Sequence, residues 1–149
     1  MANVRGDDMV VDDIDFSFYF SRKNANHGPR IKIYWDSSKT SQNFDGYIEL
    51  HGDYKYVSSS KPQHKPSSWD IRGLQYFCQK YKALFTAVWE EKLNESDLQN
   101  YFKGYISFKE LLTKFKNISE IQYFLINHCH SLKELNTCIR EHNIYKMYD

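Results

Sequence analysis

Residues 14–35 read IDFSFYFSRKNANHGPRIKIYW, and their alternation decides the fold. In the first half Ile14, Phe16, Phe18 and Phe20 share one face, with Asp15, Ser17 and Tyr19 on the other. Period-two alternation of this kind is the mark of a half-buried strand. A polar stretch from Ser21 to Pro29, containing Asn-His-Gly-Pro, breaks the run before it resumes. There Ile31, Ile33 and Trp35 lie opposite Arg30, Lys32 and Tyr34, so the two segments are expected to pair as a hairpin.

Further along, after the loop DSSKTSQNFDG, GYIELH and YKYV flank Gly52-Asp53, a Gly-X pair suited to a type II′ turn. A two-residue turn pairs His51 with Tyr54. It puts Tyr47, Glu49, Tyr54 and Tyr56 opposite Ile48 and Leu50, and points Val57 toward the core. A three-residue turn would instead bury Tyr54 and Tyr56 beside Leu50. Turn preference favours the shorter form, and the four strands together predict an antiparallel meander over residues 13–60.

In the other direction residues 1–12, with Asp7, Asp8 and Asp12, read as an acidic tail. The polar linker that follows the sheet, running to residue 67, holds two of the three prolines. Helix follows over 68–149. Ile71, Leu74, Cys78, Tyr81, Phe85, Val88 and Trp89 recur at intervals of three and four, which predicts one long helix covering the sheet. Three to four short helices are expected after it, two of them divided at Gly104. Their core candidates are Leu98, Phe102, Phe108, Leu111, Leu112, Phe115, Ile121, Phe124, Leu125, Leu135 and Ile139. Five serine-to-acid or serine-to-glutamine spacings match the capping box: Ser67/Asp70, Ser96/Gln99, Ser107/Glu110, Ser119/Gln122 and Ser131/Glu134. The expectation is one α+β domain over 1–149.

Composition narrows the function classes. The 149 residues contain 20 Lys and Arg against 19 Asp and Glu, so no large field gathers nucleic acid or an anionic membrane. No apolar run approaches the ~20 residues needed to cross a bilayer, and the N-terminal MANVRGDDMVVDDID lacks secretory-signal features. A soluble, cytoplasmic protein is expected. The three cysteines, Cys78, Cys129 and Cys138, have no framework spacing and are expected as reduced, packed thiols. Twelve tyrosines and ten phenylalanines raise aromatics to 17%, which implies either an aromatic core or a surface built for contact.

His128, Cys129, His130, Cys138 and His142 have zinc-ligand types, but neither CxxC nor zinc-finger spacing, and ordinary packing is expected. Asp45, Glu49, Asp53 and Lys55 imitate a Mg²⁺-nuclease cluster loosely; a metal-dependent hydrolase is the least favoured alternative. Glycine-rich phosphate loops and the Gly-x-Ser-x-Gly nucleophile motif are missing, so no cofactor and no enzyme activity are expected. The basic run Lys103, Lys109, Lys114 and Lys116 reads as the solvated side of a helix.

What remains is the outward sheet face. Tyr19, Arg30, Lys32, Tyr34, Tyr47, Glu49, His51, Tyr54 and Tyr56 are the candidate binding residues. Tyrosine and arginine carry much interface energy at low entropic cost, which points to a protein partner, such as a nuclease. Stacking of single-stranded nucleic acid between the basic borders is the alternative, and burial of the face under the C-terminal helices is the third. The leading expectation is a non-enzymatic inhibitor of phage or mobile-element origin that occupies a surface of a larger protein, for example an anti-CRISPR protein blocking a Cas nuclease.

The segment DFSFYFSRKNANHGPRIKIYW, with LFTAVWEEKL at 84–93, resembles the domain-of-unknown-function family 4160 over roughly Ile14 to Leu93. The resemblance implies a compact bacterial accessory protein, sometimes paired with a partner in toxin-antitoxin-like operons, and no known reaction. Where that family usually carries a His-x-His pair this chain has Arg30 and Lys32, so only the fold is carried over.

Overall fold

A computed structural model describes residues 16–20, 27–35 and 44–148. The acidic tail, Ile14 and most of the two long loops of the sheet lie outside the described residues. Among the described residues four strands, β1 (Ser17–Phe20), β2 (Arg30–Tyr34), β3 (Gly46–Glu49) and β4 (Tyr56–Ser58), form one sheet in the order β1-β2-β3-β4. Every neighbouring pair is antiparallel, as the alternation requires. Six helices follow: α1 (Ser68–Lys80), α2 (Lys82–Trp89), α3 (Glu95–Phe102), α4 (Phe108–Thr113), α5 (Ser119–His128) and α6 (Leu132–His142).

The long apolar stripe therefore spans two helices rather than one. Tyr81 leaves helical geometry at φ −97° and ψ 22°, and its amide donates to the carbonyls of Phe77 and Gln79. Its ring is fully buried, 4.7 Å from Phe77 and 5.0 Å from Phe102. A bend at this point keeps Phe77 on α1 and Phe85 on α2 facing the same aromatic cluster.

That cluster joins sheet to helices. On the inner face Phe16, Phe18, Ile31, Ile33 and Ile48 are completely buried. Phe16 meets Phe77 edge-on at 5.5 Å, and Phe18 meets Phe85 at 5.3 Å and Phe102 at 5.9 Å. Edge-to-face geometry at these distances adds about 1 kcal/mol per pair to what burial itself contributes. Leu111, Leu112, Leu125, Leu135 and Ile139 continue the same core cluster into the C-terminal helices.

The exposed edge of β1 is covered by α3. Phe20 N–H donates to Glu95 Oε1 at 3.0 Å, and Gln99 Nε2 donates to the Phe18 carbonyl at 3.2 Å. Two side chains thus take the place of a fifth strand on an edge that would otherwise invite pairing with another chain.

Three of the five serine spacings cap helices. Ser67 and Ser107 make full capping boxes with Asp70 and Glu110, and Ser131 accepts from the Glu134 amide. Ser96 and Ser119 do not. Ser96 lies inside α3, which starts after Asn94, and α5 starts after Ile118. Gln122 instead donates to the carbonyls of Leu112, Thr113 and Phe115, satisfying the end of α4. Gly104, at φ 79°, separates α3 from α4 in a conformation that glycine adopts without strain. After α6 the chain turns at Asn143, also left-handed, and straps back on α2: the Tyr145 hydroxyl donates to the Ala83 carbonyl.

Candidate functional site

The second hairpin decides which tyrosines reach the surface. Ile48 pairs with Tyr56, Tyr47 with Val57 and Gly46 with Ser58, which is the three-residue register around His51-Gly52-Asp53. The expectation of a two-residue turn is corrected by one residue, and the faces invert. Tyr54 is 5% exposed and joins the core, whereas Val57 turns outward opposite Tyr47. Tyr54 and Tyr56 are therefore removed from the candidate surface.

The longer turn wins because the inner face has room for both rings. Trp35 Nε1 donates to the Tyr56 hydroxyl at 2.8 Å, with ring centroids 5.8 Å apart. Opposite them is Gly46, where a Cβ would collide with the Tyr56 hydroxyl and the Val57 carbonyl. Tyr54 adopts φ 54°, uncommon for a tyrosine, and its carbonyl accepts from Gln75 Nε2 at 2.9 Å. Burial of the ring and that hydrogen bond offset the backbone strain, against which the Gly-X turn preference is small.

The outer face keeps the remaining candidates. Tyr19, Lys32, Tyr47 and Val57 form one row across all four strands, and Arg30 stands opposite Glu49. Tyr19 is 37% exposed; Arg30, Lys32, Tyr34, Tyr47, Glu49 and His51 are half-buried. Their ring and charge contacts lie within the same face. Tyr19 and Tyr34 meet edge-on at 5.6 Å, the Arg30 guanidinium lies 4.1 Å from the Tyr47 ring centroid, and Lys32 Nζ is 4.9 Å from that of Phe44. His51 Nε2 lies 3.2 Å from Glu49 Oε2. Ser17, which pairs with Tyr34, is fully buried.

These contacts hold flexible side chains in fixed places. An arginine stacked on tyrosine has lost part of its rotamer freedom already, so less is lost when a partner binds. Burial, then the nearby Tyr19 and Asp45, push the Tyr34 phenol above its ordinary range, so it is a neutral hydrogen-bonding group near neutral pH.

The acidic residues around the hairpin do not gather. Asp45 is 2% exposed and fully engaged: its carboxylate accepts from the amides of Trp35, Gln63 and His64 at 2.9, 2.7 and 3.0 Å. It fastens the linker to the sheet. Asp53 and Lys55 are exposed at the turn. In the C-terminal helices His128, Cys129, Cys138 and His142 line one cavity, but His130 does not. Among the described residues no three His, Cys, Asp or Glu side chains converge as a metal-holding group. Lys103, Lys109, Lys114 and Lys116 are exposed, but only Lys109 lies within a helix, α4; Lys103 and Lys114 cap the ends of α3 and α4 and Lys116 follows in the loop, so they do not form one helix side.

Sequence reasoning missed Trp69. This ring is 77% exposed on the first turn of α1, with the Arg72 guanidinium 5.7 Å away. Its signal was its place off the apolar stripe that begins at Ile71. Tyr105 and Tyr123 are similarly exposed, at 74% and 79%. Among the described residues no helix is long and apolar enough to cross a membrane. No family model matches the chain, and no curated protein or solved structure matches it either.

Proposed function

We propose that this protein is a non-enzymatic binding module whose outer sheet face occupies a surface of a larger protein, as an inhibitor that covers the partner's working surface. One observation carries this reading. Tyr19, Tyr34 and Tyr47 stand half-exposed beside Arg30 and Lys32 on one side of the sheet, and the contacts that order them come from residues of that same side. Tyrosine and arginine held in advance are the residue types that dominate interface energy. A protein is favoured over single-stranded nucleic acid because both cations already rest on the protein's own rings, Arg30 on Tyr47 and Lys32 on Phe44. A base-stacking platform would offer those ring faces to the ligand.

The test is affinity capture from the native host, with and without nuclease treatment, comparing the wild type with a Tyr19→Ala/Tyr47→Ala variant. A partner protein that survives nuclease and is lost with the variant supports the reading. Recovery that vanishes with nuclease, or that is identical for the variant, overturns it.

A further inference from the structure

The cavity between α5 and α6 shares no residue with the sheet face. Its volume is about 320 Å³. Cys129 and Cys138 are buried and Phe124 is half-buried, so these three make an apolar floor. His128, Glu134, Thr137, Glu141 and His142 are exposed and make the rim. The rings are ordered: His128 stacks on Phe124 at 4.2 Å, and His142 meets Phe124 edge-on at 5.3 Å. Burial raises both thiols, that of Cys129 to about 12, so both stay neutral and behave as small apolar groups.

The polar groups of the rim present acceptors rather than donors. His128 Nδ1 lies 3.0 Å from the Phe124 carbonyl, which can only accept. Nδ1 therefore carries the ring proton, and Nε2 of the neutral ring keeps a free lone pair. The Thr137 hydroxyl donates to the Lys133 carbonyl at 3.0 Å, which leaves it lone pairs alone to offer. Glu134 accepts from the Ser131 hydroxyl at 3.2 Å, and among the described residues neither Glu134 nor Glu141 is ion-paired. With the histidines neutral, Lys133 is the one cation on the described lining, against these two carboxylates.

A lining of acceptors calls for a ligand of donors, and an aromatic floor favours one that is cationic. Glu134 and Glu141 are seven residues apart on α6, two turns or about 10.5 Å along its axis. A ligand that meets both must be long, with an ammonium group at each end and an apolar stretch between them.

We infer that this cavity binds a linear aliphatic polyamine, its terminal ammonium groups on Glu134 and Glu141 and its methylene chain along Phe124, Cys129 and Cys138. A further ammonium in mid-chain has Thr137 Oγ1, His128 Nε2 and the Phe124 ring to receive it. The site is built by α5 and α6 alone, so it stands or falls independently of the sheet face.

The experiment is isothermal titration calorimetry of the full chain with spermidine in low salt at about pH 8, where histidine is neutral and an alkylamine is protonated. One saturable site is expected. Glu134→Gln and Glu141→Gln should each weaken binding at least about tenfold, the loss of one charged hydrogen-bond acceptor. Glu120→Gln, on the first turn of α5 and outside this cavity, should bind as wild type does. Trimethylenediamine has two ammonium groups but is too short to span the carboxylates, and should bind the wild type at least about tenfold more weakly than spermidine. No saturable binding, equal affinity in the glutamine variants, or displacement of spermidine by an equal concentration of Mg²⁺ overturns the inference. So does equal affinity for the short diamine, a comparison on the wild type that needs no variant to fold.

Discussion

The two faces of the sheet are built from the same strands and differ in what completes them. The inner face is finished by the protein: Phe16, Phe18, Ile31, Ile33 and Ile48 are wholly buried against α1, α2 and α3. The outer face is organised without being finished, its rings paired with its own cations and with one another but half-open to solvent. Adjacent residues thus serve different ends. An inner ring contributes to stability, and an outer ring, on the proposed reading, contributes little until a partner covers it.

Neighbours Phe18 and Tyr19 give the sharpest contrast, with Phe18 the largest expected effect. Phe18→Ala should cost about 3–5 kcal/mol in denaturant unfolding, because it empties a site in contact with Phe85 and Phe102. A loss below ~1 kcal/mol would show that the inner face is not the core. Next is the inverted hairpin. Gly46→Ala pushes a methyl group into the Tyr56 hydroxyl and the Val57 backbone, and should cost about 2 kcal/mol. In the two-residue register Tyr56 would face away from Gly46 and the substitution would be nearly silent.

A smaller effect distinguishes the covered edge of β1 from both faces. Burial raises the Glu95 carboxyl above its ordinary value, against the lowering effect of the Phe20 amide hydrogen bond. A raised carboxyl holds its proton in the native state where the unfolded chain has lost it. Its contribution is therefore full below the ordinary glutamate range and is lost as pH rises through the native value. Glu95→Gln keeps an acceptor for Phe20 and cannot titrate. Urea unfolding between about pH 4 and pH 7 should show a flatter decline for the variant than for wild type; parallel curves would exclude a buried charge at this edge. Smallest in stability is Tyr19→Ala, expected within about 0.5 kcal/mol of wild type while weakening partner affinity at least tenfold. Loss of several kcal/mol would place Tyr19 with the inner rings.

Much of this was legible from residues alone. Alternation in 14–35 sets two strands and their faces, and interval-three-and-four spacing from Ile71 sets the covering helices, because these periods follow from backbone geometry. Ser67, Ser107 and Ser131 cap where their spacing says. Ser96 and Ser119 fail because the pattern is short and names no partner, and Gln122 had better acceptors at the end of α4.

Long-range choices were not legible. A glycine opposite Tyr56 and an indole N–H within reach of its hydroxyl come from strands far apart in sequence, and their combined effect exceeds a local turn preference. The Glu95–Phe20 hydrogen bond likewise depends on how α3 packs beside the sheet. Local periodicity determined which elements form and which side each presents, since those depend on φ, ψ and polarity within a few residues. Which tyrosines stay at the surface was decided only in three dimensions, because a one-residue choice of register depends on the space that distant residues leave.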